Sequence, residues 1–177
     1  MSAVRSFKLR QMARAALLTA ILAVLSQLSL PTPSAVPLTL QTFAVALCGA
    51  CAGPLWGVAS TVAYLLLGAV GVPVFSGFSG GVSALLSYTG GFLLAFPAFA
   101  ALCGLGTRQK KKAGGILLAL AGLAVCHLFG SLWYSFVSET PLIRGWLTVS
   151  LPYALKDALL TWGAFSVASL LKRRGIF

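Results

Sequence analysis

The sequence predicts an all-α integral membrane protein, a single domain over residues 1–177 with six transmembrane helices and both termini in the cytoplasm. Three observations predict this. Hydrophobic residues make up 59% of the chain and charged residues only 8%, where a soluble domain carries roughly 25% charged residues. Mean hydropathy is +0.97, and no Asp, Glu, Lys or Arg occurs between Ala15 and Thr107. The basic residues gather in three clusters that flank apolar stretches, the pattern that orientation across a membrane leaves in a sequence.

A helix needs about 20 residues to cross the hydrocarbon core. The first span is predicted at 12–28, Ala- and Leu-rich behind the basic flank Arg5, Lys8, Arg10 and Arg14. Pro31, Pro33 and Pro37 then end the helix in a loop over 30–37. The second span is predicted at 40–52 and the third at 55–69, both short, with a tight turn at Gly53-Pro54. Residues 71–92 hold a loop and the start of the fourth span, 82–105. Arg108, Lys110, Lys111 and Lys112 form a basic loop, followed by a fifth span at 114–136. A loop is predicted over 138–148, then a sixth span at 149–171, closed by Lys172, Arg173 and Arg174.

Six spans put eleven of the thirteen basic residues on one side, leaving Arg144 and Lys156. That side is the cytoplasm by the positive-inside rule. A net charge of +11 would suggest nucleic acid as the partner of a soluble protein; distributed this way it encodes topology, with anionic lipid headgroups as its counterpart. The chain is too short for an additional soluble module, and its basic start leads into a spanning stretch rather than a cleaved signal peptide. The loops rich in Pro, Gly and aromatic residues all fall on the outer face, which is therefore the functional one.

Residues 71–92 contain six glycines and no charge. Irregular backbone at membrane depth is tolerated where protein or a watery cavity covers it, so this stretch is predicted to be one wall of a binding site. Gly80-Gly81 and Gly90-Gly91 permit close backbone approach, and Phe75, Phe78, Tyr88 and Phe92 offer flat apolar surface. No Lys-Ser/Thr follows these glycines, which excludes a phosphate-cradling P-loop.

Lys156 and Asp157 are ionisable residues inside a span, costly unless paired or facing a cavity. Adjacent helix positions diverge by about 100°, so the two are not expected to meet one partner head-on. Lys156 is either a snorkelling interfacial lysine with Asp157 as its partner, or an ammonium held for an anionic ligand group. Thr39 and Gln41 bring a hydroxyl and an amide to the outer mouth of the second span, as a helix cap or as ligand contacts. His127 is a buried histidine bonded to a neighbouring carbonyl, or a cavity residue. Trp133 and Tyr134 read as interfacial anchors. Cys48 and Cys51 form a CxxC without a second pair or a nearby His, and read as small packing residues. Ala16 and Ala20 form a small-xxx-small pair, which serves either internal packing or the approach of another helix. Catalysis lacks its parts: there is no carboxylate pair, no metal-ligand cluster and no Ser/His/Asp set.

Together the segments VPLTLQTFAVALCGACAGPLWGVAS (36–60), YLLLGAVGVPVFSGFSGG (64–81) and YTGGFLLAF (88–96) resemble the BioY family, the biotin-binding S components of energy-coupling factor (ECF) vitamin transporters. The resemblance implies a six-helix S-component bundle in the cell membrane that binds biotin from outside. It also implies docking on a transmembrane T component driven by two cytoplasmic ATPases, with Ala16 and Ala20 at that contact. Biotin is the transported ligand and no cofactor is implied; any ATP dependence belongs to another chain, since no nucleotide-binding motif is present. The expected site comprises Thr39, Gln41, Phe75, Gly80, Gly81, Tyr88, Thr89, Gly90, Gly91, Tyr153, Lys156 and Asp157. Lys156 is assigned to the biotin carboxylate, and Asp157 to the ureido N–H groups or to holding Lys156. Two positions depart from the family pattern: Ser87-Tyr88-Thr89-Gly90-Gly91 replaces Gly-Pro-Thr-Gly-Gly, and Lys156 directly precedes Asp157 instead of following an Asp by three residues. An S component for another carboxylate-bearing vitamin, such as lipoate, and a ligand-free membrane scaffold are the alternatives.

Overall fold

The structure, a computed structural model, describes residues 2–32 and 36–176, with side chains from Phe7 onward. It is a helical assembly of α1 (Ser2–Gln27), α2 (Gln41–Ala69), α3 (Val82–Leu85), α4 (Gly90–Gly106), α5 (Lys112–Val137), α6 (Leu142–Val149) and α7 (Leu151–Arg173). Residues 7–27 of α1, α5 and α7 are each long and apolar enough to cross a membrane; α2, equally long and apolar in total, is interrupted at Gly53. The shorter α4 is also apolar, with 17 residues.

α2 does not run straight. Gly53 has φ 78 and ψ 179, a conformation open to glycine and closed to most side chains, and Pro54 restarts the helix after it. In a continuous helix Gln41 and Tyr64 would stand about 35 Å apart. Instead the Gln41 amide donates to Tyr64 Oη at 2.8 Å, so the chain reverses at Gly53 and α2 is a hairpin with arms 41–52 and 54–69. The turn predicted at Gly53-Pro54 is present. Glycine allows this fold-back twice over, because a Cβ on Gly57 would collide with the backbone of Gly49, and one on Gly104 with Pro54. Small residues are how helices approach closely where lipid gives no hydrophobic drive for association.

α4 lies against both arms of the hairpin and against α5, around a core of Val45, Tyr64, Phe96, Phe99, Cys103 and Leu123. α1 covers the 54–69 arm with one stripe, Ala15, Leu18, Thr19, Leu22 and Ser26, all buried at helical spacing. Thr19 Oγ1 donates to Ser60 O and Ser60 Oγ to Ala15 O, joining the two helices.

Three expectations need correction. Residues 82–105 are not one helix: α3 ends at Leu85, and a turn over 86–89 precedes α4. Trp133 Nε1 caps that turn by donating to Ser87 O at 2.9 Å. Residues 138–148 are not a plain loop, since they contain α6. Pro141, at φ −56, starts it, and Gly145 and Val149, one turn apart, bury its inner edge. The connection after α1 includes a two-residue antiparallel ribbon, Ser29–Leu30 against Leu38–Thr39; within the predicted Pro loop, residues 33–35 lie outside the described residues.

Candidate functional site

A cavity of about 270 Å3 opens between the start of α2, the starts of α4 and α7, and the middle of α5. Its lower walls are apolar, from Phe92, Leu93, Phe96, Leu123 and Val149. Polar groups converge from three directions: Thr39, Gln41 and Thr42 from the ribbon and α2, Tyr153, Lys156 and Asp157 from α7, and Ser76, Ser79, Ser87 and Thr89 from the 71–92 stretch.

Lys156 and Asp157 both line this cavity, although neighbours on a helix diverge by about 100°. The length of the lysine stem makes this possible: Nζ curls back to 2.8 Å from Asp157 Oδ1 and also donates to Thr39 O at 3.1 Å. The contact with Asp157 is an ion pair rather than an aligned hydrogen bond, because Oδ1 has no hydrogen-bond partner among the described residues. On the other side Asp157 Oδ2 lies 3.4 Å from His127 Nε2. His127 therefore belongs to the cavity. Its ring meets Phe92 edge-on at 5.9 Å, and among the described residues neither ring nitrogen bonds the neighbouring carbonyl that the sequence suggested. The result is a row of part-buried ammonium, buried carboxylate and buried imidazole, with hydrogen-bonding capacity still directed at the cavity.

Gln41 is held by its surroundings. Its amide donates to Tyr64 Oη, Tyr64 Oη pairs with Ser26 Oγ at 2.9 Å, and Thr39 Oγ1 donates to Gln41 Oε1 at 3.2 Å. Tyr64 is fully buried, so this chain of bonds fixes one orientation of the Gln41 amide. Tyr153 Oη donates to Val36 O at 2.6 Å and ties α7 to the connection between the two ribbon strands. Lys156 Nζ stands 5.7 Å from the centre of the Tyr153 ring.

The 71–92 stretch closes the cavity from above and is anchored from outside itself. Gln27, in the last turn of α1, donates through Nε2 to Val74 O and Phe75 O at 3.0 and 3.2 Å. Its Oε1 accepts from Phe78 N at 2.9 Å. Phe78 adopts φ 56, a strained conformation for a bulky residue that this clamp holds in place.

Of the expected site residues, Thr39, Gln41, Phe75, Thr89, Tyr153, Lys156 and Asp157 line the cavity. Gly80, Gly81, Tyr88, Gly90 and Gly91 do not. Gly80 packs on the Val72 carbonyl, and Gly81, at φ +87, donates its N–H to Gly68 O at 2.7 Å. Gly90 abuts the Leu85 carbonyl, and a Cβ on Gly91 would strike Trp133. These glycines fold the wall rather than face its contents. Tyr88 is 45% exposed and stacks beside Tyr134. Thr42, Ser76, Ser79, Ser87 and Cys126 line the cavity without having been expected there. A signal existed for the α5 residues: Leu123, Cys126, His127 and Gly130 recur at helical spacing on its buried face.

All four cysteines are buried and free, as expected of packing residues. Among the described residues no group of three His, Cys, Asp or Glu could hold a metal. Ala16 and Ala20 are exposed on the face of α1 opposite its buried stripe, so internal packing is not their role.

The sequence model of the BioY family matches residues 1–176. The chain belongs to the BioY family. Among its relatives, the probable biotin transporter BioY of Pyrococcus horikoshii is 36% identical over 166 residues, 93% of this chain and 98% of that one. The biotin transporter BioY of Thermotoga maritima is 37% identical over 123 residues, covering 69% of this chain and 72% of its own length. A crystal structure of the S-component for biotin from an ECF-type ABC transporter superposes with a TM-score of 0.85 at 26% identity, covering 95% of this chain and 93% of that one. This BioY chain is thus a multi-pass membrane protein of a transport family, not an enzyme.

Proposed function

We propose that this chain is the high-affinity biotin-binding S component of an ECF transporter. It comprises one domain of six membrane crossings, counting both arms of α2 together with α4, and both termini are cytoplasmic because the basic clusters lie at that end. The observation that carries the reading is the Lys156–Asp157–His127 row inside an otherwise apolar cavity. Biotin carries one carboxylate, a planar ureido group with donors and an acceptor, and an apolar ring and chain between them. Lys156 offers a cation to the carboxylate. Asp157 and His127 offer acceptor and donor capacity to the ureido edge, and Phe75, Phe92 and Phe96 enclose the apolar part. A ligand that leaves these buried groups unpaired forfeits about 1–3 kcal/mol for each.

Transport is energised by a T component and two cytoplasmic ATPases, with Ala16 and Ala20 on the exposed face of α1 as the close-approach contact. Membrane lipids are the other partners, and neither a cofactor nor nucleic acid takes part. The names of the relatives support the biotin assignment.

The decisive experiment is calorimetric titration of the purified protein with biotin, with lipoate as competitor. Tight biotin binding that lipoate does not displace is expected. Preferential lipoate binding would move the assignment to another carboxylate-bearing vitamin. Absence of binding to either, with uptake intact after replacing both Lys156 and Asp157 by Leu, would favour a ligand-free scaffold.

A further inference from the structure

At the opposite end of the bundle a second cavity of about 550 Å3 lies between the C-terminal turns of α4 and α7 and the first turn of α5. Lys112, Lys172 and Arg173 line it, and no Asp or Glu does. The chain has only two acidic residues, Glu139 and Asp157. Glu139 follows the far end of α5, about 40 Å from Lys112 along the helix axis, and Asp157 is held in the other cavity. Ion pairs among the described residues are confined to Asp157. Three cations therefore converge on one concavity in which no described residue supplies a counter-charge. The N-terminus of α5 adds to this, since its first turn holds no acidic residue and no side chain caps it.

The cavity is not purely basic. Its rim is apolar on the side that faces outward: Trp162 is 58% and Leu170 51% exposed, and Ile116 and Phe165 continue the lining. A free phosphate or nucleotide would satisfy the cations but make no contact with this rim, which faces the bilayer. A ligand with an anionic head and an apolar tail matches both halves.

We propose that this cavity is a specific binding site for an anionic phospholipid, the phosphate seated among Lys112, Lys172 and Arg173 and an acyl chain laid against Trp162 and Leu170. A basic pocket between spans at the cytoplasmic face is the expected receptor for such a headgroup. Bound there, the lipid would bridge α4, α5 and α7: at this end the backbones of Gly106 and Gly115 abut, joining α4 to α5, and Phe165 of α7 packs beside Gly106.

The test is native mass spectrometry of the purified full chain titrated with phosphatidylglycerol and, separately, phosphatidylcholine. Phosphatidylglycerol should bind more tightly, and the K112Q/K172Q/R173Q variant should lose that preference at least tenfold, given about fivefold per cation removed. A charge-matched variant at the same end, R108Q/K110Q/K111Q, should keep it. Thermal unfolding of both variants checks folding, and the single variants K172Q and R173Q replace the triple variant if it unfolds. Equal loss in the two triple variants would show a diffuse field and overturn the site. An unchanged preference in the lining variants, or displacement of the lipid by millimolar inorganic phosphate, would overturn it as well. None of these readouts involves biotin, so the result stands apart from the vitamin assignment.

Discussion

The two walls of the Lys156–Asp157 cavity, the proposed biotin site, are built on opposite plans. The helix wall, from α7 and the start of α2, is charged or polar and rests on long, regular elements. The loop wall, residues 71–92, has no charge and little regular structure, and it is held by groups outside it, Gln27 of α1 and Trp133 of α5. The difference teaches a division of labour. The helix wall supplies directed electrostatics, which need fixed positions, while the loop wall supplies shape and closure, which need a backbone able to turn tightly. Substitutions on the helix wall should therefore change how strongly biotin is bound, and those on the loop wall how quickly it leaves.

The largest effect is expected at Lys156. Truncating one member of a desolvated charge pair costs about 2–5 kcal/mol, so Lys156→Ala should weaken biotin about 30-fold or more by calorimetry. A biotin ester without the carboxylate charge separates two explanations. If Lys156 meets the carboxylate, the parent and Lys156→Ala should bind the ester alike. Should the variant lose as much affinity for the ester as for biotin, Lys156 acts by positioning Asp157 and the carboxylate assignment falls.

Tyr64→Phe comes next and probes the helix wall without touching its charges. Removing the hydroxyl leaves the Gln41 amide without its buried acceptor and breaks the link to Ser26. Leaving such a group unsatisfied costs about 1–3 kcal/mol, so about tenfold weaker binding and a lower unfolding midpoint are expected. An unchanged affinity would mean that Gln41 has no part in ligand recognition.

How much of this was legible in the sequence follows the same division. The helix wall was readable because an ion pair in an uncharged span is conspicuous, and the Gly53-Pro54 reversal because its residues dictate its dihedrals. The loop wall was read in role but not in detail. Its glycines were visible, yet whether they face a ligand or a neighbouring helix depends on Trp133, some 42 residues beyond Gly91, a tertiary fact with no local signature. α6 was missed for a related reason. Eight residues holding Arg144 and Gly145 resemble a loop until Ser135 and Ser131 of α5 bury one edge. His127 was left between two readings because helical spacing gives the buried face of α5 but not what lies opposite it, which is Asp157.

Gly91→Ala tests the loop wall through its packing. The added methyl would meet Trp133 and the Phe129 carbonyl, and overpacking of this kind costs about 1–3 kcal/mol. The unfolding midpoint should fall clearly while biotin affinity changes only a few-fold, the reverse of the Lys156→Ala balance. A loss of affinity as large as that of Lys156→Ala would place Gly91 against the ligand and erase the distinction between the walls.

The smallest effect on affinity, and the sharpest on kinetics, is expected for Gln27→Ala. Its amide holds Val74, Phe75 and Phe78 by three hydrogen bonds to backbone, and each such bond contributes about 0.5–1.5 kcal/mol net. Because these bonds shape the lid rather than the ligand's polar contacts, losing them should populate open forms of the loop. Stopped-flow displacement should show biotin leaving about three- to tenfold faster, with the equilibrium constant shifting less because association through a looser lid also quickens. Phe75 should keep its burial against Tyr64, whose ring it meets edge-on at 5.3 Å, so the loop loosens from Phe78 inward rather than detaching. If dissociation is unchanged in Gln27→Ala, closure does not depend on the clamp from α1, and the loop wall holds itself in place by its own turns.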